Sequence, residues 1–119
     1  KCPRWHFDNV PMRWIQSFVG PGCDFVTSER GVNRNFSMPN ANPDRSPEQI
    51  NRDRVDDRFA DIRQGLTGEG LVLKGSAGTR GTGVFHKSPE MKTLEGRVLL
   101  TVDVIFDTED DDCDCEHCH

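Results

Sequence analysis

The sequence has no tyrosine and only two tryptophans, and hydrophobic residues fill 34% of its 119 positions. A core built from this supply is thin. The seven phenylalanines must carry much of it, since each buried ring removes a large area from water. No run of about eighteen apolar residues occurs, so no membrane-spanning helix is encoded. No signal peptide is legible either, because Arg4, His6, Asp8 and Arg13 interrupt the first apolar positions. Catalytic signatures are also missing. There is no Gly-x-Ser-x-Gly elbow, no Ser-x-x-Lys and no His-Glu-x-x-His. The glycine-rich stretch Gly75–Gly83 lacks the Gly-Lys-Ser/Thr ending of a phosphate loop and reads as a hairpin loop.

Lysine is scarce, at four residues against eleven arginines. Residues 1–64 carry ten basic and nine acidic side chains, whereas residues 65–119 carry five and eleven. The acidic excess gathers in Asp107–Glu116 and disfavours nucleic acid and anionic lipid as partners. Arg4-Trp5 and Arg13-Trp14 suggest stacking on bases, but core packing accounts for the tryptophans more simply. The run Asp107–Asp112 lacks the glycine turn and spacing of a calcium loop and reads as a solvated stretch.

What the chain does concentrate is sulfur and imidazole at its end. Cys113, Cys115, Cys118, His117 and His119 are the candidate metal ligands, matching the thiolate and imidazole donors that zinc takes in tetrahedral sites. Copper(I) suits the thiolates equally. The spacing is tighter than a zinc finger allows, so this is expected to be a half-site for a structural zinc or a set of disulfides. Cys2, Cys23, His6 and His86 are further donors that the fold can bring in. A Cys2–Cys23 disulfide closes a sensible loop, and five cysteines leave one unpaired whatever the pairing.

Eleven glycines and seven prolines predict many turns and few long elements. Trp5 and Phe7 alternate with polar neighbours as in a short strand, and Phe25-Val26 begins another. Met12, Ile15, Phe18 and Val19 recur at helical steps after Pro11, predicting a short amphipathic helix. Residues 27–45 read as a long loop. Ser46, Pro47 and Gln49 form a capping-box start, predicting a helix Pro47–Gln64 with a Val55/Phe59/Ile62 stripe, and with Asp53, Asp57 and Asp61 aligned on its solvated side. Leu71–Leu73 and Val84-Phe85 read as short strands. Arg97–Phe106 is the strongest strand and is predicted to be central.

The expected fold is therefore α+β, a small antiparallel sheet with one main helix packed on it. One small domain, 1–119, is expected, with an acidic Cys/His-rich tail at 107–119. Starting at Lys1 and stopping inside the cluster, it is expected to be a piece of a longer protein.

The acidic strand end running into the Cys-rich knot, Arg97–His119, is similar to segments of bacterial polymorphic toxins and injection-system effectors, with no motif that transfers a role to any residue. Two functions follow as expectations. The first is a non-catalytic binding or structural module, secreted or extracellular, that meets a protein partner or other parts of its parent chain. The alternative is a secreted toxin or effector hydrolase using His6, His86 and Cys23.

Overall fold

The computed structural model describes residues 3–35, 44–77, 83–91 and 96–105. In chain order the elements are β1 (Met12–Val19), β2 (Asp24–Val26), α1 (Pro47–Arg54), β3 (Ile62–Gln64), β4 (Gly70–Lys74), β5 (His86–Lys87) and β6 (Val98–Val104). They form two three-stranded antiparallel sheets, ordered β4-β1-β6 and β3-β2-β5. With one short helix beside them the protein is mostly sheet, compatible with the α+β class. Among the described residues no helix is long and apolar enough to cross a membrane.

Residues 12–19 are a strand, not the predicted helix. Apolar positions three and four apart fit either structure, and here Trp14, Ile15, Phe18 and Val19 belong to the aromatic and β-branched types that suit a pleated surface. Ladders on both sides decide the matter, since Trp14 faces Val72 on β4 and Val102 on β6. The Trp14 ring also lies over Gly70, where an added Cβ would sit 2.2 Å from it. This makes β1 the central strand. The predicted central strand, β6, is an edge strand with every residue exposed.

The helix begins as its capping box predicts. The Ser46 side chain accepts from the Gln49 amide, and the Gln49 side chain accepts from the Ser46 amide. It ends at Arg54, ten residues before the predicted stop at Gln64. Val55 is already extended, bridges Val32 and is 2% exposed in the core. Burying this β-branched side chain takes precedence over continuing the turn. The predicted stripe dissolves accordingly, with Phe59 exposed and Ile62 starting β3. Asp57 and Asp61 fall outside the helix.

The core comprises Trp5, Val26, Val55 and Phe85, with Phe7, Val32 and Ala60 packed against it. It occupies one side of the β3-β2-β5 sheet. The segment before β1 borders this sheet through an antiparallel bridge between His6 and His86, with reciprocal amide bonds of 2.8 and 3.0 Å. Arg54 and Asn51 fasten α1 to the same segment. Arg54 donates to the Trp5 carbonyl at 2.8 Å, and the Trp5 amide donates to Asn51 at 3.0 Å.

Candidate metal centre

In the run Trp5-His6-Phe7-Asp8, the odd positions enter the core. Phe7 and Phe85 meet ring to ring at 5.4 Å. The period of two then sends His6 and Asp8 to the opposite side. Phe85, which has no exposed surface, turns its neighbour His86 the same way. The His6–His86 bridge places the two imidazoles side by side, with centroids 4.4 Å apart.

Asp8 completes the group. Its carboxylate lies 3.1 Å from His86 Nε2 and 3.7 Å from His6 Nε2, and one donor atom from each of the three residues lies within 4.8 Å of the others. Around a tetrahedral zinc, bonds of about 2.0–2.2 Å put donor atoms about 3.4 Å apart. Asp8 is 5% exposed and His86 is equally buried; His6 is half-buried and forms the open side.

Tautomers follow from the backbone. His6 Nδ1 lies 2.7 Å from the Arg4 carbonyl and His86 Nδ1 lies 3.0 Å from the Val84 carbonyl. A carbonyl only accepts, so both Nδ1 atoms carry hydrogen and both Nε2 atoms present lone pairs to the site when neutral. Burial first, and then His86, pushes the His6 imidazole down to about 4, against the pull of the Arg4 carbonyl and Asp8. Burial pushes the Asp8 carboxyl up, yet His86, Arg13 and His6 outweigh it and hold the group below its ordinary value.

The far side is supplied by the other sheet. Arg13 on β1 reaches Asp8 Oδ1 with Nη1 at 2.9 Å, and its Nε and Nη2 donate to the Asp103 carboxylate on β6 at 2.6 and 2.9 Å. Asp8 Oδ2 is different. It is buried, and among the described residues its partner is His86 Nε2 at 3.1 Å, a contact that holds the carboxyl low but is too poorly aligned for a full hydrogen bond. A buried carboxylate oxygen so poorly satisfied is stabilised by a proton or a metal ion placed between it and the imidazole.

The predicted donors are therefore split. His6 and His86 come together, and Cys23 lies buried as a free thiol instead of half of a disulfide. Burial pushes that thiol up to about 11, with Arg97 pulling the other way. Cys2, Cys113, Cys115, Cys118, His117 and His119 lie outside the described residues. Asp8 and Arg13 have no motif to announce them; for Asp8 the signal available was the polar phase of the alternation around Trp5 and Phe7, which the structure forms as an isolated bridge at His6 rather than as a strand. A cleft of about 350 Å³ lies on the other side of the sheet, lined by Trp5, Asp24, Glu48, Asn51, Val55 and Lys87 among others. Two of its charges pair with each other, Lys87 meeting Asp24 at 3.0 Å and lying over the Trp5 ring.

The two small antiparallel sheets meet where Arg13 of one reaches the His6–Asp8–His86 group beside the other. Residues 1–103 match the family described as protein of unknown function (DUF1826), and the chain belongs to that family. No curated protein and no solved structure matches it.

Proposed function

We propose that this chain is a metal-binding module that holds one divalent transition-metal ion between its sheets, with His6 Nε2, His86 Nε2 and Asp8 as ligands. The supporting observation is that two imidazole nitrogens and a buried carboxylate converge, His86 Nε2 on Asp8 Oδ2 and His6 Nε2 on Asp8 Oδ1, with one donor atom of each residue within 4.8 Å of the others. Three electron-rich atoms at this spacing repel one another unless a proton or a metal ion lies among them. Imidazole suits zinc, copper, iron and nickel, whereas magnesium and calcium favour all-oxygen shells. The Nδ1–H to carbonyl contacts are the orienting bonds that metal-bound histidines ordinarily make.

A hydrolase reading has less support. An imidazole acting as a general base needs one nitrogen on an orienting group and the other on the nucleophile or water. In both His6 and His86, Nδ1 meets a backbone carbonyl and Nε2 faces Asp8. Neither ring has a nitrogen directed at a nucleophile. The role of the ion is therefore structural or regulatory.

Metal analysis of the full chain after dialysis against zinc tests this reading. To isolate the site, Cys2, Cys113, Cys115 and Cys118 are first replaced by serine. About one ion per chain is expected, lost in His6→Gln, His86→Gln and Asp8→Asn. Stoichiometry unchanged in all three folded variants overturns the proposal.

A further inference from the structure

The three converging ligands leave one position of a tetrahedral shell to be filled. Building on the metal reading, we infer that Cys23 fills it, giving a closed shell of two imidazoles, one carboxylate and one thiolate.

Register places the residue. Phe25 pairs with His86 and Asp24 with Lys87. The ladder to the β3 side continues through Cys23, whose carbonyl accepts from the Gly65 amide at 2.9 Å. Two residues before Phe25, Cys23 lies on the His86 side of the sheet as a diagonal neighbour. Such neighbours are about 7–8 Å apart at Cα and closer at Cβ. An ion with bonds of about 2.3 Å to sulfur and about 2.0 Å to nitrogen bridges that gap. Cys23 is 3% exposed, so its thiol is held away from solvent. Its sulfur is not among the three donors already gathered, and the ion draws it in.

Two poorly satisfied groups then find partners at once. Asp8 Oδ2 is one of them. The other is the guanidinium of Arg97, whose Nη1 and Nη2 are buried without an acceptor while Nε donates to the Pro21 carbonyl at 2.8 Å. Cys23 and Asp24 are the acidic groups within electrostatic reach of Arg97, and Asp8 is within reach of Cys23. When the ion displaces the thiol proton, which leaves to solvent, the thiolate becomes an anionic acceptor for Arg97. The same ion supplies Asp8 with its cation. Buried donors left without acceptors are rare in native proteins, and here one ligation event accounts for both sets.

A sulfur donor also narrows the choice of metal. Thiolate beside imidazole favours zinc, copper(I) and cobalt over manganese or magnesium.

Cobalt(II) provides the test, because a cobalt–thiolate bond produces a charge-transfer band in the near ultraviolet that nitrogen and oxygen ligands do not. The probe is the full chain in which Cys2, Cys113, Cys115 and Cys118 are serine, leaving Cys23 as the single thiol. One bound cobalt with this band is expected, and further replacement by Cys23→Ser removes the band while cobalt stays on the other three ligands. Cobalt bound without the band overturns the assignment of Cys23 and leaves the His-Asp-His site standing. No cobalt bound by the folded chain overturns both. The parent spectrum decides even if Cys23→Ser fails to fold.

Discussion

The Arg13 guanidinium meets the buried Asp8 carboxylate at 2.9 Å across the two sheets. Sheet order makes the contact informative. Arg13 belongs to the central strand of one sheet, and Asp8 to the segment bordering the other. Because Arg13 also grips Asp103 with two further nitrogens, a single planar fork fixes the carboxylate that faces the histidines.

Arg13→Gln is expected to destabilise the metal-free chain by about 3 kcal/mol, the usual cost of leaving a buried charge without its partner. Arg13→Lys should restore only part of this, since an ammonium cannot grip two carboxylates in fork geometry. Urea unfolding of the three proteins in the presence of a chelator measures the series. Equal midpoints would show that Asp8 does not depend on Arg13.

Acid should weaken the metal-free fold well above the range of ordinary carboxylate titration. His6 protonates at about 4 when folded, against 6.5 when unfolded. Between those values the unfolded chain binds a proton that the folded chain does not, so stability is full above about 6.5 and falls as pH drops toward 4. Shifts of this size are worth up to about 3 kcal/mol. His86, Asp8 and Arg13 face the ring. Asp8, held below its ordinary value, adds a further loss in the same direction at lower pH. Unfolding midpoints from pH 7.5 to 4.5 in chelator check this, and His6→Gln should flatten the upper part of the profile.

Phe85→Ala should cost about 3–5 kcal/mol, as expected for a ring with no exposed surface. Phe59→Ala should cost under about 0.5 kcal/mol, because Phe59 is 53% exposed. Chemical denaturation of the pair separates the observed core from the helical stripe that periodicity alone suggests. Comparable losses would favour that stripe.

These contrasts mark how far the fold could be read from residue order. Short-range features were legible. The capping box at Ser46 was one, since its donors and acceptors lie within one turn. The alternation around Trp5 and Phe7 was another. The strands β2, β4 and β6 also fall where apolar runs predicted them. What failed depended on partners distant in sequence. Residues 12–19 suit a helix or a strand until β4 and β6 pair with them, and Val55 ends the helix because Trp5, Val26 and Phe85 need it in the core. The candidate site belongs to the second kind. His6 and His86 could be named as donors, but only the bridge between them joins them to Asp8. The dense cluster at Cys113–His119 is conspicuous because proximity along the chain is the one kind that a sequence displays.

The bridge between His6 and His86 connects residues far apart in sequence. In polymer terms, an ion held there closes residues 6–86, about two thirds of the chain, into a ring. A covalent cross-link enclosing a loop of that length reduces the freedom of the unfolded chain by about 4 kcal/mol at room temperature, and metal ligation acts in the same sense. Scarcity of metal would then open the ring and shorten the lifetime of the protein against proteases. The amount of intact chain would follow the supply of the ion.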